Sequence, residues 1–365
     1  MKISSTIRQF SMLMTCFIVN FDESIGQSNV CFCTTSGYCT SNPTVSPNDG
    51  SNQIDIRIVN SWSSTLPPTS SPSFIVPVSS GISPSISQYS SCQAGLSVCC
   101  LPSYQCGIRY PPVANAPSPA QGTNQAAFGA YPWQAVILLA ADSSFVGSGV
   151  LIDNFHILTV AHKVSNYANN PQILKVRLGE WDASSVIEPI QAQEYQVQRV
   201  FINPAYNSAN LRNSIAILRL TNAVTLGQTP TITYACLPSA QISGQRCYVA
   251  GWGVSSFNTG SYQTIQREVD LPLVDQTTCQ NQLRATRLGS SFQLDFNSFI
   301  CAGGEAGKDA CTGDGGSPLV CKINNNWYVA GLVAWGIGCA TQNVPGVYIN
   351  VVNYINWIQQ TTRTP

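Results

Sequence analysis

Fifteen cysteines, in two groups of different spacing, restrict what this chain can fold into more than any other feature of its sequence. One of them, Cys16, lies near the N-terminus, where Lys2 and Arg8 precede or open a short apolar run from Phe10 to Phe21, followed by the small residues Ser24 and Gly26. That order of charge, apolar run and small residues predicts a secretory signal over residues 1–26, cleaved before Gln27. As a membrane anchor the run is short, since spanning takes about 20 apolar residues, and Asn20 and Asp22 interrupt it. Export places the mature chain in an oxidising, extracellular compartment. Loss of Cys16 leaves fourteen cysteines, an even number that allows seven disulfides.

The first group comprises Cys31, Cys33, Cys39, Cys92, Cys99 and Cys100, spaced as C-x-C-x5-C, a long gap, then C-x6-C-C. Six cysteines in a segment too small for a good core predict a framework of three bridges, whose connectivity the spacing leaves open. A zinc cluster is the alternative. Export, the adjacent Cys99 and Cys100, and the distance in sequence to the two histidines, His156 and His162, count against it. Between Cys39 and Cys92, residues 60–91 are rich in serine and proline, a composition that predicts a mobile loop. Proline and small polar residues return before residue 126, predicting an inter-domain linker over 107–125.

From residue 126 to 365 short β-branched and aromatic runs alternate with Gly, Asn, Pro and Ser, as at Trp133–Leu139, Lys175–Leu178, Cys247–Gly251, Trp327–Trp335 and Gly346–Asn350. Such spacing predicts an all-β barrel or sandwich. Only Val352–Gln359 has the apolar spacing of a helix. Seventeen basic and seventeen acidic side chains cancel, which gives no electrostatic case for nucleic acid or an anionic membrane surface and points to protein partners.

Four motifs concentrate the chemistry: AFGAYPWQ at Ala127–Gln134, LTVAH at Leu158–His162, CYVAGWG at Cys247–Gly253 and CTGDGGSPLVC at Cys311–Cys321. Together they resemble the trypsin and chymotrypsin family, which implies a double six-stranded β-barrel closed by a C-terminal helix. The first cysteine group, with NQIDIRIVN at Asn52–Asn60 and SVCC at Ser97–Cys100, resembles the clip domain of arthropod clip-domain serine proteases and their homologues. The expected architecture is thus a small disulfide-rich clip domain over 27–106, the linker, and a trypsin-like domain over 126–365.

The resemblance assigns roles residue by residue, and the sequence departs from several of them. His162 matches the general base. Where the family carries an aspartate that orients the histidine, NSIAIL at Asn213–Leu218 has Ser214. Where it carries the nucleophilic serine of G-D-S-G-G-P-L, this chain has Gly315. The cleft is expected to be catalytically inactive. Ser317 stands two residues further on, where its hydroxyl is expected to be structural; an active protease using it is the minor alternative. Asp309, Gly336 and Gly346 match a pocket for an Arg or Lys side chain, which either still binds or persists for packing. No Lys or Arg stands between Tyr110 and His162 to be cut, so the amine that pairs with the aspartate before the serine in the family is not expected at Asp314. A loosely ordered, zymogen-like loop is expected instead.

The resemblance further implies disulfides Cys31–Cys99, Cys33–Cys92 and Cys39–Cys100 in the clip domain, and Cys247–Cys321, Cys279–Cys301 and Cys311–Cys339 in the barrel, with Cys106 joined to Cys236. A cysteine pair flanking the family's histidine loop is replaced near Gly147 and at Lys163. Glu180 matches a calcium-loop position, with Glu188 or Glu194 as the second carboxylate. Dead homologues are cut inside the clip domain, which makes Arg57–Ile58 the expected site; the alternative is a strand arginine that is never cut. The implied function is a secreted haemolymph cofactor that acts with prophenoloxidase and its activating protease in melanisation and innate immunity, and that can oligomerise after cleavage. The competing reading is a recognition or adhesion protein for microbial or cell surfaces.

Overall fold

The computed structural model describes residues 29–35, 96–102, 105–110, 113, 116–185, 188–254 and 261–364. The signal segment, residues 60–91, Arg57 and Ile58, and the side chains of the six N-terminal cysteines lie outside it. Within the N-terminal region two strands are described, β1 (Asn29–Thr35) and β2 (Leu96–Pro102), antiparallel with Cys31 opposite Cys100 in backbone register.

Twelve further strands close two barrels. The first takes β3 (Gln134–Leu139), β4 (Phe145–Leu151), β5 (His156–Thr159), β6 (Leu174–Leu178), β7 (Gln193–Ile202) and β8 (Ala216–Leu220) in the order β3-β4-β5-β8-β7-β6. The second takes β9 (Arg246–Gly251), β10 (Arg267–Val274), β11 (Phe299–Gly303), β12 (Pro318–Ile323), β13 (Asn326–Trp335) and β14 (Pro345–Asn350) in the order β10-β11-β14-β13-β12-β9. All barrel pairings are antiparallel. Closure leaves no open sheet edge.

Strand β6 shows why these residues pair as they do. Leu174, Val176 and Leu178 alternate into the first core, while Lys175 and Arg177 face outward and meet Glu194 on β7. A period of two is what a half-buried strand requires. The five strands expected from the sequence agree with the observed ones to within one residue at each end. A third apolar cluster, including Trp133, Leu158, Ile217, Val329 and Leu332, joins the barrels. The cleft is built beside that junction.

Helices are few. The short α1 (Ala161–Val164) follows β5; α2 spans Gln276–Arg284 and α3 spans Ile355–Thr362. The expected C-terminal helix is displaced by three residues, since Val351–Tyr354 first forms a 3-10 turn. Helix α2 corrects the expectation of a single helix: its sequence QTTCQNQLR buries only Cys279 and Leu283, four residues apart, too thin a stripe to read. Its start is nevertheless marked by Asp275, whose carboxylate accepts the Thr278 N–H at 3.0 Å. Among the described residues no helix is long and apolar enough to cross a membrane.

Four disulfides brace the barrels: Cys106–Cys236, Cys247–Cys321, Cys279–Cys301 and Cys311–Cys339. Around the first, Gly107 N–H donates to Tyr234 O at 2.7 Å and Asn326 Nδ2 donates to Cys106 O at 2.7 Å. The segment leading into the barrels is thus pinned to the second one.

Candidate functional site

Helix α1 carries His162 and Lys163. Its Ala161 and Val164 are buried in the core of the first barrel, which turns the two basic side chains toward the cleft. Ser214 comes from the loop before β8, a tight turn in which Leu211 and Asn213 take φ of 59° and 54° and Asn213 Nδ2 holds Ala205 O at 2.9 Å. The turn drives Ser214 fully inward. Its Oγ accepts the His162 backbone N–H at 3.1 Å and lies 3.0 Å from His162 Nδ1.

That second contact decides what the imidazole can do. A carboxylate can only accept, so it fixes the proton on Nδ1 and leaves Nε2 free to take another. A hydroxyl can also donate to Nδ1, which leaves the proton on Nε2, and it brings no charge to stabilise an imidazolium. Burial, and then the charge of Lys163, lower the His162 pKa to about 4. The ring is neutral at physiological pH.

The loop from Cys311 to Ser317 forms the other wall. Gly316 has φ +89°, and a Cβ there would lie 2.1 Å from Ser148 O, so the sharp turn requires glycine. Gly315 faces His162: a Cβ on it would stand 3.9 Å from His162 Nε2 and 2.7 Å from Lys163 Cε. Ser317 is wholly buried and turned away, its Oγ accepting from Gln134 Nε2 at 3.2 Å. No hydroxyl or thiol on this loop is aimed at the histidine.

The loop is also well tied. Ser148 N–H donates to Gly315 O at 3.0 Å, Gly316 N–H to Val333 O at 2.9 Å and Ser317 N–H to Asp314 O at 2.8 Å. Asp314 accepts Gly253 N–H and Cys311 N–H, each at 2.9 Å. Burial raises its pKa to about 6 against the pull of those two amides. Backbone donors thus meet both oxygens of the carboxylate that pairs with an amine in the family.

Behind Gly315 opens a cavity of about 210 Å³, with His162, Lys163 and Gly315 at one side and Asp309, Gly336 and Gly346 also in its wall. Asp309 Oδ2 accepts the Ala340 N–H at 3.0 Å, while Oδ1 is buried with no partner. The Tyr348 hydroxyl is likewise buried and unpartnered, and a Cβ on Gly346 would lie 3.2 Å from both atoms. Burial first, then the nearby Asp314 charge, push Asp309 up to about 7, against the Ala340 and Ala310 amides. A buried carboxyl meets the cost of desolvation by hydrogen bonding, by pairing with a cation, or by shifting toward its neutral form.

The sequence reading overlooked Lys163 as a member of the site, having treated it only as a lost cysteine; its adjacency to His162 was the available signal. Tyr348 was overlooked too, because nothing in a strand pattern marks an unpartnered hydroxyl. Of the remaining candidates, Glu180 is held by Arg177 Nη1 at 2.9 Å and its other oxygen takes the Trp181 N–H at 3.1 Å. Glu194 is shared by Lys175 and Arg177, and Glu188 accepts the Trp181 and Asp182 amides. Arg177 thus separates Glu180 from Glu194, whereas Glu188 lies against Glu180: both accept the Trp181 N–H, and burial, then the Glu180 charge, raise the Glu188 pKa to about 7 against the Asp182 and Trp181 amides. Among the described residues there is no group of three or more potential ligands for a metal ion. His156 is paired with Asp153 at 2.9 Å, at the start of β5.

Comparison with known proteins agrees with this geometry. The family model for trypsin matches residues 120–358. The inactive CLIP domain-containing serine protease A3 of Aedes aegypti is 52% identical over 345 residues, covering 94% of this chain and 69% of that protein. Phenoloxidase-activating factor 2 of Galleria mellonella is 40% identical over 252 residues, 64% of this chain and 81% of that protein. The inactive CLIP domain-containing serine protease A8 of Anopheles gambiae is 37% identical over 246 residues, 65% of this chain and 66% of that protein. The chain belongs to the trypsin family and, within it, to the non-catalytic clip-domain serine protease homologues.

Proposed function

We propose that this protein is a secreted binding cofactor in an extracellular proteolytic cascade, acting with prophenoloxidase and its activating protease. The observation that carries the reading is a disarmed catalytic corner beside a cavity whose wall includes Asp309, Gly336 and Gly346. Gly315 offers His162 no nucleophile, Ser214 gives it no charge, and Asp309 stands in the cavity wall with its Oδ1 buried and unpartnered. Loss of a nucleophile alone costs enzymes of the serine-protease type about a millionfold in turnover. Recognition of an Arg or Lys side chain needs neither lost group.

The names of the relatives support the cascade: one is a phenoloxidase-activating factor, others are inactive clip-domain proteins. The proposed organisation is a signal over 1–26, a clip domain over 27–106 with bridges Cys31–Cys99, Cys33–Cys92 and Cys39–Cys100, a linker over 107–125 and the inactive barrel domain over 126–365. Processing is proposed at Arg57–Ile58, by an upstream protease of trypsin-like specificity.

Reconstitution tests this function. Prophenoloxidase, its activating protease and this protein are combined, with the protein either intact or cut after Arg57, and phenoloxidase activity is followed. The expected result is more activity with the cut protein than with the intact one or with none. Equal activity in all three arms, with the protein instead retained on microbial surfaces, would overturn the cofactor reading in favour of direct surface recognition.

A further inference from the structure

The cleft has two charged ends. At its inner wall the Asp309 carboxyl keeps Oδ1 unpartnered beside the Tyr348 hydroxyl. Lys163 belongs to the same lining. The stem of that side chain passes Gly147, where a Cβ would be 3.3 Å from its Cγ, and ends at Gly315, where a Cβ would be 2.7 Å from Cε and 3.6 Å from Nζ. The absent side chain of Gly315 therefore makes room for a cation. Among the described residues no carboxylate lies within ion-pair distance of Lys163, and the Gly313 and Gly315 N–H groups in the same wall have no backbone acceptor.

An uncut peptide presents at this point a neutral carbonyl followed by more chain, which gives an ammonium little to pair with and must pass around it. A chain that stops here presents a carboxylate, which forms a charge-assisted hydrogen bond with an ammonium and accepts from free amides. A ligand that meets both groups carries a cation and a free carboxylate, and a chain end whose last side chain is basic carries the two on one residue.

We infer that this cleft binds a peptide chain end, a C-terminal arginine or lysine, with the side-chain cation at Asp309 and the terminal carboxylate at Lys163. This is the end that a trypsin-like cut leaves behind. The inference rests on the cation-pocket reading of Asp309 and adds the class of ligand. It makes the protein a reader of cleavage already performed. One such end belongs to this chain, because a cut after Arg57 leaves residues 53–57 ending in a free arginine.

Binding of the pentapeptide QIDIR to the full-length protein, as free acid and as C-terminal amide, tests the inference by calorimetry. The free acid is expected to bind at least tenfold more tightly. Lys163→Met, which keeps an unbranched stem, is expected to erase the difference, and Lys163→Arg to retain it; thermal melting checks that both variants fold. An unrelated peptide ending in arginine, GSGSR, separates the sources. Tighter binding of QIDIR assigns the end to this chain and equal binding assigns it to any arginine end. Equal affinity of acid and amide, unchanged in Lys163→Met, overturns the inference while leaving the cation pocket standing. If neither peptide binds and Asp309→Asn changes nothing, the pocket reading fails with it.

Discussion

The chemistry of the cleft turns first on what single side chains can do for His162. Restoring a serine at Gly315 puts an oxygen near Nε2 once the flexible Lys163 end moves aside, but the ring would still be held by Ser214. In enzymes of this fold, loss of the orienting carboxylate alone costs about 10⁴-fold in turnover. Gly315→Ser is therefore expected to stay at least about 10⁴-fold below an active relative in arginyl-ester hydrolysis. Adding Ser214→Asp is expected to raise the rate over the single variant. Asp309 supplies a second prediction at this scale. Burial raises its pKa to about 7, so at lower pH the carboxyl is mostly protonated. A cationic ligand needs the charged form, hence binding releases a proton and tightens as pH rises. The affinity for benzamidine is expected to climb about tenfold per unit below pH 7 and to level off above it. His162, lowered to about 4, contributes nothing in that window; Asp314 and the Tyr348 hydroxyl are the other titratable groups near the carboxyl. A pH-independent affinity, measured by calorimetry from pH 5 to 8, would contradict the assignment.

Among the elements, those with strong periodicity were legible and those held by a few polar contacts were not. The alternation of Leu174, Val176 and Leu178 and the apolar runs of β13 and β14 marked their strands because burial on each face dictates the residue type. Helix α2 escaped because seven of its nine residues are polar or charged, and tertiary anchoring through Cys279 and Leu283 holds it in place. Asp275→Ala removes the acceptor for the Thr278 N–H at the start of that helix. The expected cost is about 0.5–2 kcal/mol, seen as a fall of a few degrees in the melting midpoint. In the same way the motifs located the corner formed by His162, Ser214 and Gly315. The position of Lys163 over Gly315 could not be read, since it depends on where a flexible stem comes to rest after a neighbouring side chain is lost.

At the scale of the whole molecule, two closed barrels share a packed junction, and the cleft beside it is framed by Cys311–Cys339. That frame does not include the catalytic positions Ser214 and Gly315, so the proposed binding role does not depend on them. The Cys106–Cys236 bridge ties the incoming segment to the second barrel across a separation of 130 residues. On loop-closure entropy such a link is worth roughly 5 kcal/mol, so the Cys106→Ser, Cys236→Ser double variant is expected to melt well below the native protein in scanning calorimetry. The central claim, that this fold binds arginine-type ligands without cutting, is tested most directly by mixing the processed protein with an arginyl peptide amide and following heat and product together. The account predicts saturable binding, lost in Asp309→Asn, with no product. Product formation that Ser317→Ala abolishes would contradict it.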